Sequence, residues 1–198
     1  MRVIGITGGV GAGKSALLKY IGENYKCRII LADEAAHKVK EPGQPCYEKL
    51  VALLSSDILC EDGTIDKGKM AARIFESQEL REKVNQIVHP AVKEMILKEI
   101  MSAKQERNID FFFLEAALLI ESGYLNIVDE MWYIYAREDL RRKRLKTSRD
   151  YSDEKIDAIM KAQLTEEGFR QNCTVTIDNS DGLKEAYRQI DIKLGEYL

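Results

Sequence analysis

The chain has 198 residues, 45% of them hydrophobic and 32% charged, with a formal net charge of -3. That balance excludes a disordered or fibrous chain and allows one substantial core with a subdomain attached. It also excludes a global electrostatic pull toward nucleic acid or anionic membrane, so an anion must be held by local basic clusters. Cys27, Cys46, Cys60 and Cys173 contain no C-x-x-C pair, and reduced cytosolic thiols are expected rather than a disulfide framework or zinc site. The first residues lack a signal peptide's basic segment and cleavage site, and no apolar run approaches the ~20 residues of a membrane span. A cytoplasmic protein with neither nucleic acid nor membrane as partner is expected.

The first predicted strand, residues 3–7, runs into GGVGAGKS at 8–15, followed by Leu17, Leu18 and Ile21 at helical spacing. Glycine is poor in helix and strand interiors, so four glycines in eight positions need a reason beyond folding. The stretch satisfies G-x-x-x-x-G-K-[ST] in its proper context, strand before and helix after. Bare N–H groups would curl around a β-phosphate, and side chains at Gly8, Gly11 and Gly13 would obstruct that approach. Lys14 is expected to neutralise β and γ oxygens, and the Ser15 hydroxyl to ligate Mg²⁺. The loop is read as holding a nucleoside triphosphate.

The second strand, 28–31, ends in Ala32-Asp33. Ligands gather beyond the carboxyl ends of parallel strands, which puts Asp33 across the cleft from the γ-phosphate. There it orients and deprotonates an acceptor hydroxyl or holds a metal-bound water; the other reading is a simple N-cap of the helix through Ala35 and Val39. Residues 41–107 hold no convincing strand. Pieces at 47–54, Lys67–Phe75, 80–88 and 91–103 carry apolar residues at helical spacing, forming a helical insertion between the second and third strands. His89-Pro90 most simply begins the helix at 91–103, with proline at an early position.

The third strand, Phe111–Glu115, ends in an acid of the kind that supports Mg²⁺ beside a glycine loop. Glu121, after Leu118-Leu119-Ile120, either binds a polar substrate group or caps a turn. A fourth strand at 131–135 leads into REDLRRKRLKTSR at 137–149, seven cations in thirteen residues. At helical spacing Arg137, Arg141 and Arg144 form one stripe, and Arg142, Lys146 and Arg149 another. Most should be a solvated face. Arg144 and Arg149 are the first choices for lid cations that counter charge on the transferring group and exclude water. The fifth strand, 174–177, meets Asp178-Asn179-Ser180, with Asn179 where adenine is expected, although turn chemistry alone also accounts for it. Mostly continuous apolar strands separated by helices point to an α/β protein with a parallel sheet in three α/β/α layers.

Taken in order, these motifs resemble the dephospho-CoA kinase family from end to end. T-G-G-x-G-x-G-K-S matches residues 7–15, and A-D matches Ala32-Asp33. E-P-G resembles Glu41-Pro42-Gly43, and D-G-x-I-D-R is similar to the stretch ending in Ile65-Asp66-Lys67. H-P matches His89-Pro90, L-L-x-E matches Leu118-Leu119-Ile120-Glu121, V-D-E matches 128–130, and I-D-N-S matches 177–180. The resemblance implies a nucleotide-kinase-like fold with sheet order 2-3-1-4-5 and a single P-loop kinase domain over 1–198. Within it, 1–40, 108–136 and 173–198 would form the nucleotide-binding core, 41–107 the CoA-substrate insertion and 137–172 a mobile lid. It implies transfer of the ATP γ-phosphate, with Mg²⁺, to the ribose 3′-hydroxyl of dephospho-CoA, giving coenzyme A and ADP. Gly8, Gly9, Gly11, Ala12, Gly13, Lys14, Ser15 and Ala16 would hold ATP with Asn179, and Ser15 with Glu115 the metal. Asp33 would be the base, Lys67, His89 and Glu121 would bind substrate, and the chain would be a monomer or weak homo-oligomer.

This sequence departs from the family pattern in several places. Leu31 replaces the first acid of D-A-D, Glu115 and Ala117 replace the Asp and Pro of D-x-P-L-L, and Lys67 replaces an arginine with its fork geometry. Arg144 and Arg149 are one residue further apart than R-x-x-x-R, and Cys173-Thr174 stands for A-D. The alternative on the same fold is a kinase of another small acceptor, such as a nucleoside monophosphate or shikimate-like alcohol. A regulatory GTPase would carry a guanine-reading N-K-x-D, which is absent. A binder without catalysis would leave Asp33 and the lid cations idle.

Overall fold

A computed structural model describes residues 1–75, 77–116, 119–120 and 123–198. Glu121, with Ala117 and Leu118 of the same motif, lies outside the described residues. Five strands, β1 (Arg2–Thr7), β2 (Cys27–Leu31), β3 (Phe111–Glu115), β4 (Glu130–Tyr135) and β5 (Val175–Asp178), form one sheet in the order β2-β3-β1-β4-β5. The pairs β1–β3, β1–β4 and β4–β5 are parallel. The arrangement is the three-layer α/β/α one that alternating apolar strands and helices demand, since each face of a parallel sheet needs a helical cover.

Burial follows strand position. Phe111, Phe112, Phe113 and Leu114 of β3 are all buried, and Phe113 meets Trp132 of β4 edge to face at 6.2 Å. The edge strand β2 is only half-buried along its length, and β5 nearly so. The register sets Ile6 beside both Glu115 and Trp132, so Thr7 and Glu115 lie together at the sheet's carboxyl edge. Helix α1 (Lys14–Asn24) follows β1, α2 (Ala32–Lys38) follows β2, and α6 (Glu138–Arg149), α7 (Asp153–Lys161) and α8 (Glu166–Asn172) separate β4 from β5. The last helix, α9 (Leu183–Gly195), packs on α1 through stacked Tyr20 and Tyr187 rings 3.9 Å apart.

The chain divides into two compact units, Met1–Ile29 with Ala103–Leu198, and Ile30–Ser102. The second contains α2, α3 (Pro45–Leu54), α4 (Lys67–Phe75) and most of α5 (Gln78–Gln105). α3 starts on Pro45, whose missing N–H is harmless in a first turn, and buries Cys46, Leu50 and Leu54 on one face. The helix expected to begin after His89-Pro90 does not. α5 is one 28-residue helix with Pro90 inside it. The buried residues Val84, Val92, Ile96, Ile100 and Ala103 keep one face across the proline. Burial of that continuous stripe outweighs the single backbone hydrogen bond that Pro90 cannot make.

Candidate active site

The glycine loop joins the buried end of β1 to α1, whose N-cap is Gly13 in a left-handed conformation (φ 97°) with no side-chain cap. No acid stands in the first turn of α1, so its positive dipole end favours an anion, although Ala16 N–H already donates to Gly13 O at 3.1 Å. Lys14 Nζ donates to Gly8 O at 2.7 Å and lies 3.7 Å from Glu115 Oε1, which draws its ammonium across the loop. Among the described residues, two buried side-chain oxygens lack partners, Thr7 Oγ1 and Asn179 Oδ1. Both flank this loop: Thr7 precedes Gly8, and Asn179 Nδ2 donates to Ala12 O at 2.8 Å. Buried acceptors are seldom left unpaired without a functional reason.

The glycines do more than clear a path for phosphate. A Cβ on Gly8 would collide with Ile134 O, one on Gly9 with Arg141 Nη1, and one on Gly13 with Asn179 Nδ2. The loop is bare because β4, α6 and Asn179 close against its back. Gly8 has φ 147°, a region open to glycine alone. Gly8→Ala should therefore cost about 2–4 kcal/mol through strain and overpacking. A thermal melt should show Tm lower by roughly 5–15 °C; an unchanged Tm would mean that β4 does not press on the loop.

The two arginine stripes of α6 face different partners. Arg142 bonds Glu138 (2.8 Å) and Asp157 (2.6 Å), and Lys146 bonds Asp153 (2.8 Å), so this stripe secures α7. On the other stripe, Arg144 Nη2 donates to Asn179 O at 2.8 Å, and Nη1 to Ala12 O at 3.3 Å and Gly11 O at 3.4 Å. Arg144 thus braces the loop backbone. The structure puts Arg149 elsewhere, its guanidinium 5.9 Å from the Tyr151 ring at the exposed end of α6. Arg141, which shares a stripe with Arg144, is the arginine over Gly9. Its place on that stripe was the signal that could have selected it ahead of Arg149.

Asn179 is buried and held on the loop rather than standing free in a turn, with its own N–H donating to Tyr135 O at 2.8 Å. The turn chemistry is present beside it: Ser180 N–H donates to Asp178 Oδ1 at 2.8 Å. The exposed Ser15 hydroxyl and the Glu115 carboxylate are hard oxygen donors of the type Mg²⁺ takes, so these residues fit that ion. Burial pushes the Cys27 thiol up to about 11 and that of Cys173 up to about 12, which keeps both protonated at neutral pH.

In the second unit, α2 is N-capped by Leu31, with no side-chain cap. Asp33 is therefore not the cap. It sits exposed in the first turn, one residue into the helix. One turn further on, His37 joins Lys40, Glu41, Lys67, Met70 and Ile74 around a cavity of about 590 Å³. Lys67 Nζ lies 3.5 Å from His37 Nε2. Burial holds the Lys40 ammonium below its ordinary lysine value, and the charge of Lys67 adds to that. Three basic groups gathered on one partly apolar wall suit an anionic ligand with an apolar arm. His89, exposed on α5, does not line this cavity.

A five-stranded parallel sheet in this order, with an uncapped glycine loop between its first strand and helix, defines a P-loop kinase. The family model described as dephospho-CoA kinase matches residues 2–185. The dephospho-CoA kinase of Carboxydothermus hydrogenoformans is 34% identical over 190 residues, 96% of this chain and 91% of its own length. Among solved structures, TT1252 from Thermus thermophilus is 26% identical, with a TM-score of 0.79 over 100% of this chain and 98% of that one. A dephospho-CoA kinase from Campylobacter jejuni, 24% identical, shares the fold with a TM-score of 0.73 and 98% coverage of both chains. The chain belongs to the dephospho-CoA kinase family. No helix among the described residues is long and apolar enough to cross a membrane.

Proposed function

We propose that the protein transfers the γ-phosphoryl group of ATP to the ribose 3′-hydroxyl of dephospho-CoA, giving coenzyme A and ADP in the cytoplasm. The observation that carries this reading is an intact glycine loop, with Lys14 drawn between Gly8 O and Glu115, in a chain matched almost end to end by that family. Amides of the glycine loop other than those of Val10, Ala12 and Ala16, which bond within the protein, grip the phosphates, and the positive end of α1 favours their charge. Ser15 and Glu115 would hold Mg²⁺, which supplies charge neutralisation at the β and γ oxygens. Asp33 accepts the proton of the acceptor hydroxyl. Arg144 keeps the loop in shape, while Arg149 closes over the site only if the lid rearranges.

On the acceptor side, the His37, Lys40 and Lys67 wall suits the 5′-diphosphate of dephospho-CoA, and Met70 and Ile74 its pantetheine arm. His37 lies four residues after Asp33 on α2, so one helix face serves both the hydroxyl and the phosphates. Lys67→Ala should raise KM for dephospho-CoA about 10-fold or more, the worth of a charge-assisted hydrogen bond, with ATP affinity unchanged. Lys67→Arg should keep KM near that of the parent. A KM unmoved by Lys67→Ala would remove the diphosphate from this wall. The activity is tested by incubating the protein with Mg-ATP and dephospho-CoA and weighing the product as coenzyme A by mass spectrometry. Parallel tubes with AMP, CMP and shikimate separate the rival acceptors; phosphorylation of one of these in preference would overturn the reading.

A further inference from the structure

Gln163 lies two residues beyond the end of α7 and 153 positions from the glycine loop, yet its carboxamide meets that loop directly. Val10 N–H donates to Gln163 Oε1 at 2.9 Å. A backbone N–H can only donate, so the carbonyl side of the carboxamide is the side on the loop. Its Nε2, with two N–H donors, has no described acceptor among the described residues. A Cβ on Gly9 would collide with Arg141 Nη1 and stand 3.6 Å from Gln163 Oε1. The guanidinium and the carboxamide therefore converge on one turn of the loop.

The support beneath Gln163 is firm. Its N–H donates to Met160 O at 3.2 Å. α7 is tied to α6 by Arg142–Asp157 and Lys146–Asp153, and its Ile156 is fully buried. A half-buried amide on such a scaffold loses little freedom when it meets a ligand.

We propose that Gln163 is a further catalytic residue: Oε1 stays anchored on Val10 N–H while Nε2 donates to a γ-phosphoryl oxygen of the bound triphosphate, beside Arg141. The proposal rests on reading the loop as a triphosphate cup. Its chemical logic is a neutral donor placed where equatorial charge spreads during transfer, pre-aligned by the loop it serves.

Calorimetry without acceptor separates this role from a structural one, using Mg-ATP and Mg-ADP on the parent protein, Gln163→Ala and Gln163→Glu. Gln163→Ala should lose about 10-fold or more in ATP affinity, and Gln163→Glu more still, because a carboxylate keeps the bond to Val10 but repels phosphate. ADP affinity should stay within about twofold in all three, which also certifies that the variants fold. Equal losses for ATP and ADP would reduce Gln163 to a brace of the loop. ATP affinity retained by Gln163→Glu would show that accepting from Val10 is its whole task. Either result overturns the proposal. A parent protein that shows the ATP-over-ADP pattern but makes no coenzyme A would sink the proposed reaction and leave the Gln163 contact standing.

Discussion

Lys14→Ala should lower kcat for coenzyme A formation by on the order of 10³-fold or more, the range seen when a charged clamp on a transferring phosphoryl group is removed. The ammonium is already drawn across the loop by Gly8 O and Glu115, so a nucleotide needs to move it little. Little reorganisation is what makes a preset charge effective. The same change removes the cation expected to meet the β and γ oxygens, so Mg-ATP affinity should fall as well. Lys14→Arg should not rescue turnover, because a planar fork cannot replace a point charge in so tight a place. Rapid-quench measurement of single turnovers checks this. Retention of a tenth or more of the parent rate by Lys14→Ala would mean that the loop does not address the terminal phosphates.

Asp33→Asn should lower kcat by about 10²-fold, the lower end of what a general base contributes, while Mg-ATP affinity stays near that of the parent. Phosphoryl transfer has a loose transition state in which positioning and charge matter more than proton removal, so the base is worth less than Lys14. The structure makes the experiment clean. Because Leu31 caps α2 and Asp33 is exposed, Asn at this position should leave the melting temperature almost unchanged. A drop in kcat without a drop in Tm assigns Asp33 to the chemistry. Near-parental kcat in Asp33→Asn would remove it from the mechanism.

Much of this molecule was legible in the sequence because its signals are local. The five predicted strands, runs of four or five residues and mostly continuously apolar, fall within a residue of the observed strands, since strands covered on both faces require such runs. The glycine loop was legible because its residue types follow from backbone geometry that few other residues permit. Where local rules conflicted with long-range packing, they failed. Pro90 was read as a helix start because proline favours first turns, but a buried stripe on both sides carries α5 through it. Asp33 was compatible with an N-cap by residue type, and only the observed cap at Leu31 removes that reading. Arg141 and Arg144 could not be ranked above Arg149 by counting cations, because what separates them is which stripe of α6 meets the loop.

By itself, the sequence determined the strand–loop–helix unit at 1–24, the strand positions and the family to which the chain belongs, since each depends on residues adjacent in the chain or on ordered motifs. The tertiary structure alone decided which atoms close on the glycine loop: Ile134 O from β4, Arg141 and Arg144 from α6, Asn179 beyond β5 and Gln163 beyond α7. These loop contacts join residues more than a hundred positions apart, and beyond the helical stripe that Arg141 and Arg144 share, no periodicity or spacing encodes them. They exist because a parallel sheet returns each strand's carboxyl end to the same edge, where side chains from distant segments compete for one small backbone surface.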